Sequence, residues 1–287
     1  VLNMEIKHPT DERVWLVLYY PVPDADGGLL GFGSVALEIT ERQHTMNILR
    51  ETNIKLRDLS ERQQRFVADA AHELRAPLTS IRGNLDLLTR YQGIPHDEQQ
   101  DMLRDLQQVA VRLSALVEDL LELARSDSGL KIKRESVNLS DVLLSVWHSV
   151  QTLDSSHTFE LEHLPDAVVT GDADRLKQLA LILLENATKY TPGGGTINLG
   201  PGLNKEHALF YIRDTDIGIQ KEELPHVFER FYRTDKARTR AQDPGGTGLG
   251  LSIAEWIVQG HNGKLWLESE PGHGTTAFVQ LPLAPSM

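Results

Sequence analysis

The feature that most restricts this chain is a run of helix formers from Thr40 to Ala124, with apolar residues spaced by threes and fours and a single interruption. Leu49, Leu56, Leu59 and Phe66 fall at a and d positions of one heptad register, the pattern of a parallel coiled coil. Ala70, Leu74, Leu78, Ile81, Leu85 and Leu88 continue it, so one helix is expected over about 42–90. Tyr91 to Pro95, containing Gly93 and Pro95, ends that helix. Met102, Leu106, Val109, Leu113, Leu116, Leu120 and Ala124 then make a further stripe. Two long amphipathic helices joined by a short turn form a helical hairpin. Each stripe stays partly uncovered in one hairpin, and pairing two hairpins as a four-helix bundle buries it. A homodimer is the expectation.

The flanks differ. Ahead of the helices, RVWLVLYY and LLGFGSVALEI enclose PVPDADGG, which reads as a β hairpin too small to hold a core of its own. Beyond SDSGLKIKRESVNLS, with a hinge expected near Ser126 to Lys133, helices and strands mix. Helices are expected from about Leu139, over Asp172 to Lys189 and over 247–260. Strands are expected at FELEHL, VVTGD, from Thr196 through NLGPGL, ALFYIRD, GKLWLES and TAFVQLP. Helices that segregate from mostly antiparallel strands predict an α+β sandwich of roughly 150 residues.

Composition removes several functions. Lys and Arg number 29 against 41 Asp and Glu, a net charge of −12, so direct nucleic-acid binding is not expected. With no cysteine, disulfides and thiolate metal sites are excluded. No run approaches the roughly 18 apolar residues of a membrane span, and no signal peptide opens the chain. A cytoplasmic chain is expected, with room for a membrane anchor upstream in the full-length protein.

The chemistry centres on HELRAPLTSIRGNLDLL, residues 72–88. His72 lies two residues from both Ala70 and Leu74, hence on the side opposite the stripe, facing solvent. Pro77 lacks an N–H and crowds the carbonyl of Glu73, at a helix-interior cost of about 3 kcal/mol, so it should loosen or bend the helix there. Glu73 can hold one imidazole N–H and leave the other nitrogen nucleophilic. Arg75 and Ala76 share the face of His72.

FVADAAHELRAPLTSI resembles the H-box of bacterial two-component sensor histidine kinases, and four later stretches resemble that family's ATP-binding boxes in order. The resemblance implies that His72 accepts a phosphoryl group, with Glu73 as base or orienting residue and Arg75 helping to draw in phosphate oxygens. In LLENATKYTPGGG it implies Asn186 as an oxygen donor to Mg²⁺, Lys189 on the phosphates and Tyr190 against adenine. Ile182 stands where the family often has a second Asn, and Glu185 could compensate. In DTDIGI, Asp214 would read the adenine amino group, with Gly218 and Ile219 matching; Asp216 replaces a glycine, which implies weakened nucleotide affinity. VFERFYRTDKARTR resembles the F-box through Phe228, Phe231 and Tyr232. It crowds Arg230, Arg233, Lys236, Arg238 and Arg240 together, with Arg233 the best phosphate contact. GGTGLGLSI, with Gly245, Gly246, Thr247, Gly248, Leu249 and Gly250, implies a loop that cradles phosphate before a helix N-terminus.

GFGSVALEITERQ resembles the exit of a PAS sensor domain, through Glu38, Ile39, Thr40, Glu41 and Arg42. The resemblance thus implies the end of a PAS-like domain over 1–40 and a coiled-coil signalling helix over 41–65. A dimerisation and phosphotransfer domain would follow over 66–128, then an α/β sandwich ATP-binding domain over 134–287. It implies ATP and Mg²⁺ as cofactors and a separate response regulator receiver domain as partner. Alternatives are a dimeric pseudokinase scaffold with impaired ATP binding, for which Ile182 and Asp216 speak, and an ATPase or serine kinase of the same nucleotide fold, which needs no H-box.

Overall fold

The computed structural model describes residues 2–7, 13–91, 93–127, 132–203, 207–234 and 246–284, apart from the side chains of 59, 62 and 125–127. The chain divides into two compact units, Val1–Ala68 and Asp69–Met287.

In the first unit, Leu2–Lys7 (β1), Val14–Pro23 (β2) and Leu29–Glu38 (β3) pair antiparallel in the order β1-β2-β3. The expected hairpin is β2 and β3; β1 adds a third strand that was not read from the sequence. Asp24 shapes the turn, its Oδ1 accepting the N–H groups of Asp26 at 3.0 Å and Gly28 at 2.6 Å. Leu2, Leu30, Phe32 and Leu37 stay exposed, because three strands alone offer nothing to cover an apolar face. Thr40 accepts the Val14 N–H at 3.0 Å as the chain leaves β3 and turns helical.

Thr40–Arg90 (α1) and His96–Asp127 (α2) are the two long helices. α1 is uninterrupted through Pro77, so the expected loosening does not break it. Proline brings no N–H to the helix ladder, and the Thr79 hydroxyl adds a 2.8 Å bond to the Arg75 carbonyl. The stripes remain largely open within one chain: Leu49, Leu56, Leu78 and Leu85 are all about half exposed or more. Leu59 falls outside the described side chains.

The α/β part of the second unit contains Glu135–Asn138 (β4), Leu139–Leu153 (α3), Thr158–Leu161 (β5), Val168–Gly171 (β6), Ala173–Tyr190 (α4), Thr196–Leu203 (β7), His207–Asp214 (β8), Gly250–Gly260 (α5), Lys264–Glu270 (β9) and Gly274–Pro282 (β10). Its main sheet has the order β5-β7-β8-β10-β9, antiparallel except for the parallel β5–β7 pair, and β4 pairs with β6. The helix expected over 247–260 begins at Gly250. Asn138 caps α3, and Asp172 caps α4 by accepting from Asp174 N and Arg175 N.

α4 packs between α3 and α5, and α4 and α5 lie on β8, β9 and β10. Leu179, Leu183 and Leu184 thereby meet the buried face of the sheet, Ile197, Leu199, Phe210 and Ile212. Strand period two places Ala208, Phe210, Ile212 and Asp214 on one buried side of β8. A carboxylate therefore ends an apolar row.

One expectation about α2 is corrected. Its last apolar position is Leu123, 1% exposed, and Ala124 points to solvent. The end of α2 packs on α5, so its buried side there is set by the α/β part and departs from the hairpin stripe.

Candidate functional site

His72 sits on the exposed side of α1 as expected, with Arg75 and Ala76 exposed beside it and Glu73 half-buried. The imidazole is reachable from solvent, the first condition for a group that must meet another molecule.

A cleft opens at the end of β8. α4 contributes Leu183, Asn186, Ala187 and Tyr190, one helical face at spacings of three and four; β8 contributes Ile212 and Asp214. Asp216, Ile219, Leu251, Leu267, Thr275 and Ala277 complete it. Of the residues singled out in the sequence, Asn186, Tyr190, Asp214 and Ile219 meet in this cleft. Apolar walls with a few polar groups and one aromatic ring suit a flat heterocycle.

The turn after β8 is tightly tied. Asp214 Oδ1 accepts the N–H groups of Asp216 at 3.1 Å and Thr275 at 3.0 Å. Asp216 Oδ1 accepts the Gly218 N–H at 2.7 Å, and the Thr275 hydroxyl donates to the Asp216 carboxylate at 3.1 Å. Ser269 Oγ accepts the Ile219 N–H at 2.8 Å. Gly218 has φ +69°, and a Cβ there would run into the Glu270 carbonyl oxygen, so glycine is required twice over. Asp216 takes the place of a glycine without opening this turn, because its side chain replaces solvent as the acceptor for a turn N–H. Burial, and then the charge of Asp216, push the pKa of Asp214 up to about 8.

The glycine loop lies against the same C-terminal part of α4. A Cβ on Gly246 would clash with Lys189 Nζ, and one on Gly250 would lie 3.3 Å from Ile182 Cγ2. Lys189 is thus brought to the loop, and Ile182 fills space under the start of α5 where an amide would have been expected. Lys189 Nζ also stands 5.0 Å over the Tyr190 ring. Gly248 adopts φ +69° and its carbonyl accepts the Phe231 N–H at 2.9 Å, so the aromatic segment 228–232 docks on the loop. Phe231 itself has φ +62°, a strained conformation for an aromatic residue. Arg233 follows, half-buried. Leu249 is fully buried, an anchor for the loop. Lys236, Arg238, Arg240 and Gly245 lie outside the described residues.

Acidic residues of α2 reach the loop and α4. Thr247 Oγ1 donates to Asp119 Oδ2 of α2 at 2.9 Å. Burial and then Glu118 raise the pKa of Asp119; burial and then Asp119 raise that of Glu185, which Lys189 partly offsets. Glu122 of α2 contacts Arg175 and Gln178 of α4, and Arg175 stacks 5.4 Å from the Trp256 ring. Sequence reasoning missed Thr275, Ser269 and Asp119. The first two lie some sixty and fifty residues from the turn they hold, and Asp119 sits on a polar helix face like many others.

No helix among the described residues is long and apolar enough to cross a membrane. Residues 62–129 match the model of the His Kinase A (phospho-acceptor) domain, and residues 171–285 that of the histidine kinase-, DNA gyrase B-, and HSP90-like ATPase. Sensor histidine kinase YkoH of Bacillus subtilis is 36% identical over 230 residues, 80% of this chain and 50% of its own length. Sensor histidine kinase WalK of the same organism is 33% identical over 284 residues, 97% of this chain and 44% of its own. The chain thus spans about half the length of these curated relatives. The solved structure of histidine kinase ThkA in complex with response regulator protein TrrA shares the fold at a TM-score of 0.59 and 20% identity, covering 99% of this chain and 79% of that one. An exposed histidine in the H-box, an Asn186-to-Asp214 cleft and a glycine loop docked by Phe231 agree with both domain matches: the chain belongs to the sensor histidine kinase family.

Proposed function

We propose that the chain autophosphorylates His72 from ATP and passes the phosphoryl group to an aspartate of a separate response regulator. The observation that carries this reading is the pairing, in one chain, of a solvent-facing H-box histidine with an apolar cleft walled by Asn186, Tyr190 and Asp214.

Phosphoryl transfer asks a protein mainly for positioning and charge neutralisation. Adenine fits between Tyr190 and Ile219, with the Asp214 carboxyl at its edge. Lys189, Arg233 and the backbone of Gly246, Thr247, Gly248, Leu249 and Gly250 hold the phosphates at the start of α5. The neutral amide of Asn186 suits Mg²⁺, which keeps most of its waters, and Glu185 supplies a carboxylate in place of the amide absent at Ile182. Bound there, Mg²⁺ would neutralise phosphate charge. Glu73 orients the imidazole of His72 for in-line attack and Arg75 attracts the phosphate. ThkA is the precedent for a family member with a bound response regulator protein.

The half-exposed stripes of α1 and α2 are the faces that a second copy covers, giving a homodimer through a four-helix bundle. We assign residues 1–40 to the end of a PAS-like domain, 41–65 to a coiled-coil signalling helix, 66–128 to dimerisation and phosphotransfer and 134–287 to ATP binding. These parts work in the cytoplasm.

Incubation with γ-labelled ATP and Mg²⁺, comparing wild type with His72→Gln, tests the reading. Acid-labile label present in wild type and lost in the variant is expected. No label on a folded dimer would replace the kinase by the nucleotide-impaired scaffold, and label retained in His72→Gln would overturn the acceptor.

A further inference from the structure

Asp214 and Asp216 place two carboxyl groups in a cleft where the family pattern calls for one. Thr275 links them, its N–H bonded to Asp214 and its hydroxyl to Asp216, and the Asp216 N–H also donates to Asp214 Oδ1. Thr275 Oγ1 stands 3.1 and 3.2 Å from the two Asp216 carboxylate oxygens, so one residue ties the two carboxyl groups together. Like charges this close, with Asp214 only 7% exposed, cannot both ionise without a large cost, and such a pair retains one proton between its members.

We infer that Asp216 is a specificity-determining residue: with Asp214 it holds a shared proton in the base cleft, and that proton sets which purine edge the site accepts. The inference rests on the ATP reading above. A lone carboxylate offers only acceptors. It favours adenine, whose edge carries the N6 amino donor, and repels guanine, which presents the O6 acceptor at the same place. A carboxyl pair with one proton offers a donor as well, so either edge can be met. Oδ1 of Asp214 is already occupied by two backbone N–H groups, which leaves Oδ2 for the proton and the base. Loss of the proton restores the acceptor-only edge and with it the preference for adenine.

The surroundings leave this titration to the pair. From α4 the cleft receives Tyr190, with Lys189 directed over the Tyr190 ring toward the glycine loop. From β8, Arg213 is exposed and turned onto Tyr211 and Thr276. From β9, Glu270 touches the turn through its backbone, and His273 in the following turn is exposed. α5 and β10 contribute Leu251, Thr275 and Ala277, none of them charged. The rise of Asp214 to about 8, caused by burial and then by Asp216, agrees with a proton held at neutral pH.

The test is calorimetric binding of ATP and of GTP, with Mg²⁺, to the whole chain at about pH 6.5 and about pH 9, either side of that value. Wild type is expected to prefer ATP about tenfold more at the higher pH than at the lower. Asp216→Gly and Asp216→Asn, the latter keeping the turn acceptor, are both expected to show a clearly smaller change of preference between the two pH values, since only the effect of burial on Asp214 remains. Titration of the phosphates and of guanine is common to all three proteins and drops out of the comparison. ATP binding with one preference at both pH values in wild type, or the wild-type pH dependence surviving in both variants, overturns the inference while leaving the kinase reading intact. Binding of neither nucleotide removes the ATP reading and the inference together.

Discussion

Thr247 of the glycine loop donates a 2.9 Å hydrogen bond to Asp119, a residue 128 positions earlier on the second long helix. Two parts of the proposed mechanism meet there: the loop proposed to hold phosphate and the helix that follows the one carrying His72. Glu122, one helical turn on from Asp119, reinforces the contact through Arg175 and Gln178.

Removing the acid at that contact should favour the nucleotide. Asp119 competes for the Thr247 hydroxyl and adds negative charge beside the proposed phosphate site. In Asp119→Ala the Kd for ATP is expected to fall about threefold to tenfold, the net worth of one ordinary hydrogen bond. Equilibrium titration with a fluorescent ATP analogue measures it; an unchanged or weaker Kd would show that the contact does not oppose binding.

The Asp214 carboxyl also ties stability to pH. Its folded pKa stands near 8, above the ordinary 3.8, so the folded chain keeps a proton that the unfolded chain releases. That contribution is fully present below about pH 4 and is lost as pH rises through about 8. Asp216→Asn removes the neighbouring charge, so its melting temperature should decline less steeply between about pH 5 and about pH 9, by a few degrees over the range. Parallel melting curves for both proteins would contradict this.

Gly218 cannot accept a side chain. Positive φ and the Glu270 carbonyl both exclude a Cβ, so Gly218→Ala should cost roughly 1–3 kcal/mol in urea unfolding and abolish nucleotide binding. Gly193→Ala is the control: a Cβ there meets nothing within 4 Å, and its stability should stay within about 0.5 kcal/mol of wild type.

Ala76 shares the exposed face of His72 and cannot hydrogen-bond through its side chain. Many family members carry Thr or Asn at this place, where it can position water. The wild-type chain should therefore dephosphorylate its regulator slowly, and Ala76→Thr should speed the loss about tenfold or more. Rapid loss of regulator phosphate on adding unphosphorylated wild type would refute this.

Much of the fold was legible because periodicity is local. The stripes of α1 and α2, the stop at Gly93 and Pro95, and the starts of α3 near Leu139 and α4 near Asp172 depend on residues within a turn or two of one another. β1 was missed because its pairing with β2 is a tertiary contact that no turn motif between them announces. The burial of Leu123 in place of Ala124 was missed because α5, far along the chain, decides which side of α2 is covered there.

The same division runs through the site. By itself the sequence determined which residues could act: an outward His72 from helical spacing, Asn186 and Tyr190 on one face of α4, and Gly218 and Gly248 where backbone must bend or approach closely. Tertiary structure alone decided the electrostatics. Thr275 and Asp216 gather around Asp214, and Asp119 reaches Thr247, only because β10 pairs with β8 and α2 packs on α5. Charge acts through distance and burial, and neither is written in the order of residues along a chain.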